Sequence, residues 1–267
     1  MLITATRRRP AAFIARWASA RLASAGTVRV ALRTLITDAR SLVHICSGLC
    51  EPGGVPQTSP YNEITSEDEL REVLGGLPSK RAATKDHDRL HPLEIEWLQR
   101  SPFCVVATAD ADGNCDASPK GDPAGQLIHV LDPGTVAIPE RPGNKRGDGY
   151  RNVLANPHAG ILSLIPGRSD TLRINGRARL VRDAPFFDDM AVRGRRPVLA
   201  MVVEIEQIFS HCQKAFMRSG LWQPQTWPDP AALPSVAELC KIIQEPAETL
   251  AELRAYYAPE RYETLLY

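Results

Sequence analysis

Four short polar runs in this chain combine residue types that hold anions. In Asp116-Ala-Ser-Pro-Lys-Gly-Asp-Pro123 a hydroxyl, Ser118, and an ammonium, Lys120, follow a strand. Arg141-Pro-Gly-Asn-Lys-Arg146 is a Gly-containing loop with three cations and an amide, Asn144, just before a helix. Loop amides, a helix N-terminus and guanidinium groups together make an anion site. Thr171-Leu-Arg173 stands at the head of the longest strand candidate. His211-Cys-Gln-Lys-Ala-Phe-Met-Arg218 puts Lys214 and Arg218 at i, i+4 on one helical face. A solvated surface explains any one run equally well. Together, in a chain with only six Lys, they suggest a phosphate-bearing ligand held against a barrel.

Other chemistries lack their signatures. There is no Walker loop, no G-x-G-x-x-G after a strand, no G-x-S-x-G and no H-E-x-x-H. The six His are scattered, and His87-x-x-x-His91 runs directly into Pro92, which favours a solvated loop over a metal site. None of the six Cys forms Cys-x-x-Cys, and most are expected to be small buried apolar residues. Cys212 is expected in the core and His211 as a packed, hydrogen-bonded residue. Residues 110–121 superficially resemble a calcium loop, but Cys115 and Gly121 stand where Gly and Glu are required. No catalytic side chain is identifiable.

Composition is that of an ordinary globular protein, 43% apolar and 24% charged. The net charge of +1 gives no reason to expect a nucleic-acid or membrane partner. The longest uncharged window, residues 152–167, is too short and polar to span a bilayer. That balance hides an asymmetry: residues 1–50 carry eight Arg and one acid, leaving the remainder net acidic. Acid-poor, Arg- and Ser-rich composition suits a mitochondrial transit peptide. An extension that is rarely or never translated explains it as well, although Met recurs only at 190, 201 and 217. A cytoplasmic protein is expected, or a mitochondrial one if the extension is a transit peptide.

The elements that must position the polar runs are mostly strands. Short helices are expected at about 66–74 and 93–100. A hairpin over 103–118 turns at Asp110–Asn114, and strands follow at 126–131 and 135–138. A helix over 149–155 precedes a strand at 161–165. Thr171–Val181 alternates Leu172, Ile174, Ala178 and Leu180 against Arg173, Arg177 and Arg179. Another helix is expected at 184–192, a strand at 198–208, a helical turn near 211–219 and a helical tail. Short strands with few intervening helices point to an antiparallel barrel. The predicted organisation is an extension (1–55), a helical lead-in (56–102), a mainly β barrel domain (103–222) and a loop with helical tail (223–267).

The runs SPFCVVATADADGNCDASPKGDP, TVAIPERPGNKRGDGYRNVLANP, IPGRSDTLRINGRARL and FSHCQKAFMRSGLW, in that order, resemble the pyridoxamine 5'-phosphate oxidase-like flavoproteins, and more narrowly their bacterial branch. The resemblance covers about 64–227. It implies a split β-barrel homodimer with two FMN sites at the subunit interface. Ser118, Lys120, Arg141, Asn144 and Arg146 are then the phosphate and ribityl contacts. Thr171 and Arg173 line the flavin, and Lys214 and Arg218 reach it from the partner subunit. The implied activity is an FMN-dependent oxidoreductase passing hydride between a small organic substrate and flavin N5. A deazaflavin reductase and a non-catalytic flavin-binding protein are the alternatives. The Arg and His pattern that holds the substrate phosphate in true pyridoxamine phosphate oxidases is missing, which argues against that substrate.

Overall fold

A computed structural model describes residues 61–267. The Arg-rich extension, Cys46 and Cys50 lie outside the described residues. The chain divides between Leu70 and Arg71. The first helix, α1 (Glu67–Val73), starts where Ser66 accepts the Glu69 amide and Glu69 accepts the Thr65 amide. Two helices follow it, α2 (Lys80–Ala83) and α3 (Pro92–Gln99). The short α2 has no counterpart in the sequence reading. His91 caps α3 through Nδ1, with Glu94 reaching back to the His91 amide at 2.9 Å. The second histidine of the i, i+4 pair therefore has a structural task.

Seven strands form one antiparallel sheet: β1 (Phe103–Ala109), β2 (Cys115–Gly121), β3 (His129–Asp132), β4 (Thr135–Pro139), β5 (His158–Leu164), β6 (Thr171–Val181) and β7 (Ala200–His211). Their order is β2-β1-β5-β6-β7-β4-β3. The helix α4 (Asp148–Ala155) joins β4 to β5, and α5 (Lys214–Ser219) follows β7. A helical tail, α6 (Val236–Gln244), α7 (Leu250–Tyr256) and α8 (Pro259–Glu263), completes the fold. The molecule is thus a β-sheet core flanked by helices at both ends.

Register assigns the faces, since directly paired residues point the same way. One row runs Lys120, Cys104, Ser163, Leu172, Ser210 across five strands. With Val106, Ile161, Ile174 and Ile208 in the next such row, these residues build the inner face. Ile174 and Ile208 are fully buried there, each worth about 1.5–3 kcal/mol of transfer free energy. The intervening row, Pro119, Val105, Leu162, Arg173, Phe209, faces outward. At Asn175/Gly176 the β6–β7 register slips. A Cβ on Gly176 would sit 2.0 Å from the Glu204 carbonyl oxygen, so this bulge admits only glycine.

β4 pairs with β7 only as far as Glu204. Beyond that point His87 takes over, exchanging backbone hydrogen bonds of 3.1 and 2.7 Å with Ile208. β2 and β3 are the sheet edges, yet the end of β2 is tied by side chains to the residues following β4. The sheet therefore curls until the end of β2 reaches the residues after β4 through ion pairs rather than a ladder.

Two expected elements differ. The strand at 126–131 shrinks to His129–Asp132, because Leu127 and Ile128 are spent as buried plugs beneath a turn. Residues 184–192 hold only a 3-10 turn, Pro185–Phe187. The apolar spacing there serves a cap: Phe187 and Met190 pack on Ala137, Ala200 and Val202. Arg196 fastens this segment, donating to Asp183, Asp188 and the Ala184 carbonyl.

Candidate functional site

The nine residues implicated by the sequence fall into two groups. The first gathers at the mouth between β2 and the loop after β4. Ser118 and Lys120 project from the inner face of β2, half-buried. Arg141, Asn144 and Arg146 lie on the loop leading into α4. This loop is held in shape from within: the Asn144 side-chain oxygen accepts the Arg146 amide at 3.0 Å. Lys145 and Gly147 take left-handed φ of 61° and 64°. For a lysine that conformation costs about 1 kcal/mol, so the surrounding contacts enforce it.

Every ion-paired cation of this group carries a carboxylate partner that the sequence reading had not assigned. Lys120 Nζ donates to Glu140 Oε2 at 2.8 Å and lies 3.0 Å from the Tyr150 hydroxyl, which itself donates to the same Glu140 oxygen in a short contact. Burial, then the Glu140 hydrogen bond, pushes the Tyr150 phenol far above its ordinary value, so it stays a donor. Arg141 Nε donates to Asp122 Oδ2 at 2.8 Å and its terminal nitrogen to the Met190 carbonyl at 3.0 Å. Asp122 also accepts the Tyr267 hydroxyl at 3.0 Å. Arg146 Nε donates to Asp148 Oδ2 at 2.6 Å, and that hydrogen bond raises the guanidinium further. Asn152 on α4 donates to Thr108 and Asp116, fastening the helix to β1 and β2.

The three pairs differ in accessibility. Arg141 and Asp122 are 13% and 1% exposed at the side chain, a locked buried pair. Arg146 is 73% exposed, so its pair is a surface pair that solvent screens. Lys120 and Glu140 are 18% and 25% exposed, a partly buried pair whose carboxylate is the most open of the three.

The second group lies on the outer face, where β6 begins and β7 ends. Thr171 is buried opposite His211, and Arg173 pairs across the ladder with Phe209. The Phe209 ring has the Arg173 guanidinium at 4.8 Å and Lys85 Nζ at 4.5 Å. These are cation–π distances. Lys85 also donates to the Ser210 carbonyl at 2.9 Å. Lys214 and Arg218 are exposed on α5, as are His211 and Cys212. The expected packing of those last two is therefore corrected: β7 ends at His211 and the chain leaves the core there. Of the four described cysteines only Cys104 and Cys240 are buried. Burial pushes the Cys104 thiol up to about 12, so it is unreactive. No cluster able to hold a metal ion occurs among the described residues.

Alongside the second group, on the same outer face, runs an open groove of about 380 Å³. Its floor is made of small residues, Ala107 and Gly160, with Asn175, His158 and Glu206 at its sides.

Residues 94–212 match a family model, Pyridoxamine 5'-phosphate oxidase. The chain's match to that split-barrel superfamily is distant but consistent. It spans β1 to β7 and stops short of α5, so Lys214 and Arg218 fall outside it. HupZ of Group A Streptococcus is similar at 20% identity over 45% of this chain and 94% of its own, with a TM-score of 0.37. A Lactobacillus delbrueckii protein provisionally described as a pyridoxamine 5'-phosphate oxidase is 22% identical over 47% and 99%, TM-score 0.38. HutZ, the heme storage protein from Vibrio cholerae, is 19% identical over 45% and 94%, TM-score 0.34. No curated protein matches the chain. No helix among the described residues is long and apolar enough to cross a membrane.

Proposed function

We propose that the protein is an FMN-binding split-barrel oxidoreductase acting as a homodimer. The observation that carries this reading is the division of the strand residues, Ser118 and Lys120 on the inner face of the sheet and Thr171 and Arg173 on the outer. Lys120 and Leu172, the neighbour of Arg173, are three strand steps apart, about 14 Å along the sheet. Within one chain Ser118 and Lys120 point inward while Thr171 and Arg173 point outward, so the two sets do not face one another. Pairing two chains lets the mouth of one meet the outer face of the other, which is how a ligand carrying both a phosphate and an aromatic ring system would use both.

The donor set suits FMN. A phosphate dianion asks for cations with hydroxyl or amide donors, and Ser118, Lys120, Asn144 and Arg146 supply them. Arg141, locked to Asp122, shapes the loop. Thr171, Arg173 and the small-residue groove suit a flat ring, with Lys214 and Arg218 reaching across from the partner chain. Bound FMN supplies hydride transfer at N5. The protein's part is to orient the ring, exclude water, and place positive charge from Arg173 where electrons arrive.

Anaerobic addition of NADPH or NADH to the FMN-loaded full chain tests catalysis. Bleaching of the flavin band and its return in air is the expected result. A bound flavin that neither donor reduces favours the second reading, a flavin-binding protein without turnover.

A further inference from the structure

We propose that Glu140 is a built-in competitor for the cofactor phosphate, so that the affinity of the site for phosphate monoesters is set by displacing this carboxylate. The inference rests on the FMN reading above. Glu140 Oε2 occupies a position where two donors converge, Lys120 Nζ at 2.8 Å and the Tyr150 hydroxyl. Lys120 is itself held over the Tyr150 ring at 4.9 Å, so the two donors move as a unit. Convergent donors on one oxygen are what a phosphate oxygen needs. The same two groups cannot serve both anions at once.

The neighbouring pairs single out this one. Asp122 is locked by Arg141 on one oxygen and Tyr267 on the other, and cannot leave. Asp148 divides its oxygens between Arg146 and Arg151, two mostly exposed guanidinium groups that a phosphate can reach without displacing it. Glu140 is partly exposed, so it can swing to solvent, yet it is dry enough for its departure to matter. Until it moves, Lys120 and Glu140 sum to zero charge and offer a dianion no net attraction. Once it moves, an ammonium and a phenol hydroxyl are freed together.

Titration of the full chain and its Glu140→Gln variant with FMN and with riboflavin tests this. FMN binds the variant about tenfold tighter than the wild type while riboflavin, which lacks the phosphate, binds both equally. Glu140→Asp, which keeps the charge but withdraws it by one methylene, shows a smaller gain in the same direction and covers the case of a poorly folded Gln variant. Unchanged or weaker FMN binding by both variants of a protein that does bind FMN overturns the inference and leaves Glu140 as a clasp between β2 and the post-β4 loop. Equal tightening of riboflavin overturns it as well. A wild type and variants that all ignore FMN overturn the cofactor reading, and this inference with it.

Discussion

Asp122 receives Arg141 on one carboxylate oxygen and Tyr267 on the other, with almost no exposure of its own. Removing it leaves a guanidinium buried without a counter-charge, the costly half of breaking a buried pair. Asp122→Ala therefore lowers stability by about 3–5 kcal/mol in denaturant unfolding. A loss under about 1 kcal/mol, the range of a surface pair, contradicts the locked-pair account. The cations of this region were legible in the sequence because they cluster in short runs. Their partners stand in the same runs, Asp122 beside Lys120 and Glu140 beside Arg141, but linear order hides the pairing. Each acid joins the cation of the other run, crosswise, and only the curl of the sheet brings those runs together.

At the scale of elements, β6 was read to the residue because its alternation is long and one-sided. In the segment 184–192 Phe187 and Met190, at i, i+3, suit a helical face as well as a capping turn. Arg196 and the apolar patch on β4 and β7 decide between the two, and Ala137 of that patch is remote in sequence. Capping boxes open two of the tail helices, Ser235 with Glu238 on α6 and Thr249 with Glu252 on α7. Glu238 accepts from Ser235 and also pairs with Arg254 at 2.9 Å, joining α6 to α7. These hydrogen bonds, led by the Ser235 hydroxyl, depress its carboxyl from 4.5 to about 2. A depressed folded value means stabilisation that is present above 4.5 and is lost as pH falls toward 2. Protection factors in residues 236–257, that is exchange corrected for its intrinsic slowing in acid, therefore fall across that range in the wild type. A Glu238→Ala variant, which removes the acceptor, shows lower protection already at neutral pH. Equal exchange in the two proteins at neutral pH removes the capping box as the cause.

For the molecule as a whole, the antiparallel strands and their flanking helices are legible in the sequence, whereas the separation of the strand residues of the site onto two faces is not. That separation depends on register, which a run of residues such as Thr171-Leu-Arg173 cannot reveal alone. It is also what makes a second chain necessary to the account. The measurement that tests this most directly is the absorption spectrum of the full-length protein after incubation with FMN and desalting, taken together with its mass in solution. The account predicts retained flavin bands at about one FMN per chain in a particle of two chains. A colourless protein after desalting, or a monomer holding flavin in full stoichiometry, contradicts it.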